Sequence, residues 1–148
     1  MTVYFEDIEI GRVMRSGAYT VEREEMVAFA VKWDPRPFHV DEALAKKTLY
    51  GALTASAAYT MSVYLKLINE LTGEWATLGA LGWDEVRFPA PVRAGDALTI
   101  TVAATSKRPS RSRPGIGIVE SRQRVLKEGD EPVLTFTAAF MMAMKEGS

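Results

Sequence analysis

The sequence contains no cysteine and a single histidine, His39. The first absence excludes a disulfide framework, a zinc–thiolate centre and a cysteine nucleophile, and it fits a reducing, cytoplasmic setting. The second excludes a metal site built from two or three imidazoles of one chain, and no metal is expected. Charge of one sign is also missing. Lys and Arg number 18 against 19 Asp and Glu, a net charge of −1, so neither nucleic acid nor an anionic membrane is an expected partner. The N-terminal stretch Met1–Asp7 has no basic segment followed by an apolar one, so no secretory signal is expected. The longest uncharged run, Thr48 to Leu65, just reaches the length of a membrane span. Its threonines, serines, alanines and Gly51 suit a helix buried in protein better than one facing lipid.

What is present fits one ordinary globular domain over residues 1–148, with 47% hydrophobic and 25% charged residues. The first half is helical in pattern. Thr20 is a plausible N-cap, with Glu22, Glu24 and Glu25 favoured by the helix dipole. Met26, Phe29, Ala30 and Trp33 then recur at helical spacing as one apolar face. Pro35 ends this helix at Asp34. Asp41–Lys47 is expected to form a short helix, and Gly51 to about Leu71 the longest one.

The second half changes to strand patterns. Thr77–Phe88, Ala97–Thr105, Gly117–Val125 and Val133–Met144 form an antiparallel meander, to which an early strand at Val13–Tyr19 is added. Gly79 and Gly82 predict a bulge or a close backbone approach in the first of these. The expected architecture is α+β: a long central helix, apolar over much of its circumference, wrapped by a curved antiparallel sheet of about five strands.

The strongest chemical signal is Asp34-x₄-His39, within Trp33–Asp34–Pro35–Arg36–Pro37–Phe38–His39–Val40–Asp41. A carboxylate and an imidazole suit proton transfer near neutral pH, and two intervening prolines fix their separation. The spacing is equally compatible with a turn aspartate and a structural histidine. Ser56 and Ala57, in a run of small residues expected within the long helix, leave backbone N–H groups open to a carbonyl oxygen; close helix packing explains the same residues. Lys107–Gly115 collects four basic residues, including Arg111 and Arg113, which suit phosphates of a nucleotide-containing ligand or simply a solvated turn.

These residues, together with Tyr4–Phe5–Glu6–Asp7, Asp84–Phe88, Pro91–Val92–Arg93–x–Gly95–Asp96 and Pro109–Ser110–Arg111–Ser112–x–Pro114–x–x–Gly117–Ile118–Val119, resemble the MaoC-like dehydratases and the related (R)-specific enoyl-CoA hydratases. The similarity runs from about Tyr4 to Met144. The resemblance implies a hot-dog fold, at least a homodimer, and an acyl-CoA thioester bound near the subunit interface. It also implies addition of water to an enoyl thioester, or the reverse. Asp34 and His39 would be catalytic, with Ser56, Ala57, Arg111 and Arg113 binding substrate. Coenzyme A would enter as part of the substrate, with no separate cofactor. Trp33 and Arg36 stand where many members have Gly and Asn, and Ala57 where many have Gly. A thioesterase and a non-catalytic acyl-thioester binder are the alternatives on the same fold.

Overall fold

A computed structural model of the protein describes residues 1–147; Ser148, the last residue of the expected 1–148 domain, lies outside the described residues. In chain order the elements are β1 (Val13–Arg15), β2 (Tyr19–Thr20), α1 (Arg23–Trp33), α2 (Pro37–Val40), α3 (Glu42–Ala45), α4 (Ala57–Leu71), β3 (Thr77–Arg87), β4 (Ala97–Pro109), β5 (Ile116–Lys127) and β6 (Glu131–Ala143). The six strands make one antiparallel sheet in the order β1-β4-β5-β6-β3, with β2 also on β4. Six strands replace the expected five because the early segment divides. At Ser16 the backbone N–H bonds to the Ile100 carbonyl while its hydroxyl accepts the Ile100 N–H, so ladder pairing stops and resumes at Tyr19.

Period-two alternation builds the sheet's inner face. Leu98, Ile100 and Val102 of β4, Val119 and Val125 of β5, and Leu134, Phe136 and Ala138 of β6 are buried, whereas Glu120, Arg122 and Arg124 of β5 face solvent. Against that face lies α4, burying Tyr59, Val63, Tyr64 and Leu67. Filling such positions with apolar side chains contributes about 1.5–3 kcal/mol each. The rest of α4 is less enclosed than its composition suggests: Ala58, Ser62 and Leu65 are exposed. The ladder between β3 and β6 shifts register between Thr77 and Gly79 and again between Ala80 and Gly82, as the glycines predict.

Three boundaries and one buried face differ from expectation for local reasons. Thr20 is not a cap; it pairs with Ala97 in β2, the chain stays extended through Val21, and Glu22 precedes α1. Trp33 is 64% exposed, its ring lying under the Lys32 ammonium rather than in the core. α4 begins at Ala57, not Gly51. Gly51 adopts a left-handed φ of 63°, Thr54 and Ala55 spend their N–H groups on other loops, and Ser56 caps the helix with its side chain. Lys107 belongs to β4 instead of the loop, and its ammonium donates to the carbonyls of Phe5, Glu6 and Ile8. That ammonium holds the N-terminal segment on the sheet's inner face at the Gly117 end, in a cluster with Ala104, Val119 and Met142, where Phe5 rests so closely on Gly117 that a β-carbon there would overlap its ring. Among the described residues no helix is long and apolar enough to cross a membrane.

Candidate active site

Asp34 and His39 meet because the chain between them is short and stiff. The Asp34 N–H closes α1 on the Ala30 carbonyl at 2.8 Å. Pro35 prevents further helix, the Arg36 N–H returns to the Asp34 carbonyl at 2.8 Å, and Pro37 starts α2 at the first helical position, where its missing N–H costs nothing. The result puts His39 Nε2 at 3.4 Å from Asp34 Oδ2.

Three neighbours fix the pair. His39 Nδ1 lies 2.7 Å from the Thr54 carbonyl oxygen. A carbonyl only accepts, so Nδ1 carries a proton toward Thr54, and Nε2 is the ring nitrogen that faces the Asp34 carboxylate. Ser56 donates from its hydroxyl to Asp34 Oδ2 at 2.8 Å and accepts the Ala58 N–H at 3.3 Å. Ser56 is 1% exposed; its hydroxyl is engaged with the carboxylate, and it does not itself line the cavity beside the pair. Arg36 Nε sits 3.3 Å from the other carboxylate oxygen, Oδ1, with its side chain 70% exposed. Arg36 had no assigned role in the sequence; the Asp-x-Arg spacing was the available signal.

The pair opens on a cavity of about 370 Å³ walled by Phe38, Tyr50, Phe88, Pro91, Val92 and Val133, with Ala57 at its edge. Ala57 is the first residue of α4, so its N–H lies ahead of the helix's own hydrogen-bond ladder and is available to an oxygen. Its backbone is not in the left-handed region; alanine in place of glycine therefore brings no backbone strain. The walls are tied together by the main chain. The Thr54 N–H bonds to the Phe38 carbonyl at 3.3 Å and the Ala55 N–H to the Val92 carbonyl at 2.8 Å. The Arg93 side chain donates to the Tyr50 carbonyl at 3.1 Å. These loop-to-loop bonds were not foreseeable from spacing.

One further tie sets how α1 lies on α4. Glu25 Oε1 accepts from the Tyr19 hydroxyl at 2.5 Å and the Tyr59 hydroxyl at 2.8 Å. Tyr19, then Tyr59, stabilises the anion and holds the Glu25 carboxyl below its ordinary value. Burial, followed by the facing carboxylate, pushes the Tyr59 phenol up.

Arg111 and Arg113 are exposed in the turn from β4 to β5. That turn sits where Pro109 pairs with Gly117 and Ile116 with Ala143, the end of the sheet opposite Val133 and the Asp34–His39 pair. One chain thus brings Asp34, His39, Ser56 and Ala57 together and leaves Arg111 and Arg113 apart. A larger recess of about 550 Å³ opens between the N-terminal segment and the end of α4; its titratable residues are Asp7, Glu9, Arg12, Glu70 and Glu74, and it contains no imidazole. Among the described residues no group of three or more His, Asp or Glu could hold a metal ion.

Comparison with known proteins identifies the family and the fold. The family model described as "MaoC like domain" matches residues 7–123. A 3-hydroxybutyryl-CoA dehydratase of Methylorubrum extorquens is 28% identical over 97% of this chain and 87% of its own length. An (R)-specific enoyl-CoA hydratase of Rhodospirillum rubrum is 34% identical over 73% of this chain and 74% of its own. The crystal structure of a MaoC-like dehydratase from Rhodospirillum rubrum superposes with a TM-score of 0.90 at 31% identity, covering 97% of this chain and 98% of that one. A Mycobacterium tuberculosis protein with a double hot-dog fold superposes at 0.81 and 18% identity, over 99% of this chain and 46% of that one. The architecture is therefore the hot-dog fold.

Proposed function

The chain belongs to the MaoC-like domain family, and on that premise we propose that it is a hydro-lyase adding water to a trans-2-enoyl thioester of coenzyme A, or removing it from the 3-hydroxyacyl thioester. The observation that carries the reading is the His39 ring held by the Thr54 carbonyl, with Nε2 facing a carboxylate at 3.4 Å over an apolar cavity. A water oxygen at that pair is oriented by Asp34. His39 Nε2 takes one of its protons as the oxygen bonds to the β-carbon, and the pair returns one proton to the α-carbon, so the elements of water are added without net proton release. Charge that gathers on the thioester oxygen is met by the Ala57 N–H at the positive end of α4. Asp34 and His39 are the catalytic residues; Ser56 positions Asp34.

The reading includes a homodimer. β3 is an outer strand with one unpaired edge, its Leu78 and Leu81 are exposed, and α4 leaves Ala58, Ser62 and Leu65 uncovered. A long apolar edge of this kind favours pairing with another strand. If β3 pairs antiparallel with its copy, the partner's Thr77 end lies beside this chain's Arg87 end. Thr77 pairs with Met142, and Ile116 with Ala143, so the partner subunit's β4–β5 turn then comes to the same end as Asp34 and His39. The partner subunit's Arg111 and the partner subunit's Arg113 would receive the phosphates of coenzyme A while the acyl group enters the cavity.

The test is loss of the enoyl-thioester ultraviolet band with short and medium trans-2-enoyl-CoA, run beside a thiol reagent. Band loss without free thiol supports hydration. Free thiol released in step with the band loss would make the protein a thioesterase, and saturable binding with neither change would make it a binder.

A further inference from the structure

A second cavity, of about 330 Å³, lies between the C-terminal half of α4 and the sheet, and shares no lining residue with the one at Asp34 and His39. Its walls are mostly apolar: Tyr64, Ile68, Trp75, Trp83, Ala138 and Phe140. Its size falls at the low end of the range for small-molecule sites. No Lys, Arg, Asp or Glu lines it, so an ion entering it would lose hydration without gaining a counter-charge.

Asn69, Thr72 and Thr77 are the other polar residues of the wall besides the Tyr64 phenol; the buried amide among them is Gln123 of β5. It is 2% exposed, on the inward face with Val119 and Val125. Its Nε2 donates to Ser121 Oγ at 2.6 Å, while Oε1 has no hydrogen-bond partner among the described residues. Leaving a buried amide oxygen unpaired is costly, and buried polar groups are almost always satisfied. The neighbours of Gln123 on that face are Ser121 and Val125, and Ser121 satisfies one end of the amide only. Rotated by half a turn, the amide would accept from the Ser121 hydroxyl and leave its NH₂ free instead. A hydroxyl group, which both donates and accepts, satisfies either orientation.

We propose that this cavity binds a neutral, mainly apolar alcohol whose hydroxyl pairs with the Gln123 amide. The apolar body is enclosed by the aromatic and aliphatic walls. The hydroxyl supplies the one polar contact the cavity lacks. This site is independent of the enoyl-thioester reading and stands whichever way that reading falls.

Benzyl alcohol and ethylbenzene, near-isosteres that differ by a hydroxyl for a methyl, serve as probes. They are titrated into the intact protein while the Gln123 side-chain NH₂ resonances and tryptophan emission are followed, the latter because Trp75 and Trp83 both line the cavity. Benzyl alcohol is expected to bind saturably and to shift the Gln123 resonances. In Gln123→Leu the ratio of benzyl alcohol to ethylbenzene affinity is expected to fall about threefold to tenfold, the weight of one net hydrogen bond. An unchanged ratio in a folded variant would overturn the proposal. So would Gln123 resonances in the wild type that stay fixed at the solubility limit of the alcohol, a result that does not depend on the variant folding.

Discussion

The two ends of the sheet are held in different ways. At the Arg87 end of β3, α2 and two separate loops around Asp34 and His39 are joined by two main-chain bonds, Thr54 to Phe38 and Ala55 to Val92, and by the His39 ring on the Thr54 carbonyl. At the Thr77 end, the main chain of the β4–β5 turn is closed by Ser110, whose N–H bonds to the Ile116 carbonyl and whose hydroxyl accepts the Ser112 and Arg113 N–H groups, while the Arg111 and Arg113 side chains extend into solvent. Proton transfer depends on tenths of an ångström and needs the first kind of construction. Catching a phosphate on a flexible arm needs charge and reach, which exposed arginines supply without a rigid frame.

Substitutions at each end sharpen that contrast. The largest effect is expected for His39→Ala, which removes the ring base: kcat for enoyl-CoA hydration should fall by about 10²–10⁴-fold, with the far-ultraviolet circular dichroism unchanged. Ser56→Ala comes next. It leaves both catalytic groups but frees the Asp34 carboxylate and removes the α4 cap. A hydrogen bond to a charged group predicts a kcat loss of about tenfold to hundredfold, and the lost cap a stability loss of about 1 kcal/mol, read by urea denaturation.

At the other end, replacing Arg111 and Arg113 together by Ala should raise KM for acyl-CoA by about tenfold at low salt with kcat nearly unchanged, and the gap should narrow as salt rises. Mixing that variant with Asp34→Asn chains distinguishes a site shared across the interface from one within a chain. A shared site regenerates one wholly native site in each mixed dimer, and activity at low substrate recovers. A site within one chain gives no recovery.

The smallest effect is expected for Tyr59→Phe, which removes one of two hydroxyls from Glu25. Because both hydroxyls stabilise the Glu25 anion, its carboxyl sits below the ordinary value of 4.5. The stabilisation is therefore present above that value and is lost as pH falls through the depressed one. The variant should be about 0.5–1 kcal/mol less stable at pH 7, a figure reduced for the exposure of Glu25. The difference should vanish in acid, by thermal melts at both pH values.

Much of this was legible in the chain. Strand alternation in Ala97–Thr105 and Val133–Met144 located the sheet's inner face, because period two has one physical meaning on a half-buried strand. Asp34-x₄-His39 was legible because prolines limit what the spacer can do. The start of α4 was not: Gly51–Ala55 has a helical composition, and the left-handed Gly51 together with the bonds of Thr54 and Ala55 to distant residues keeps it out of the helix. Trp33 matched a helical face by spacing, yet α1 ends there and its ring meets the Lys32 ammonium and solvent instead of the core. The task of Ser56 was hidden because a hydroxyl at a helix start is explained by capping alone, and the bond to Asp34 spans 22 residues of sequence. The separation of Arg111 and Arg113 from the catalytic pair follows from strand register, which a motif does not carry.

The most direct test of the account is the kcat and KM of Asp34→Asn beside those of the Arg111→Ala, Arg113→Ala protein, on one trans-2-enoyl-CoA followed by loss of the enoyl-thioester band. The account predicts that Asp34→Asn loses kcat by orders of magnitude while still binding the thioester, and that the arginine variant loses KM while keeping kcat. Near-native kcat in a folded Asp34→Asn protein would contradict it.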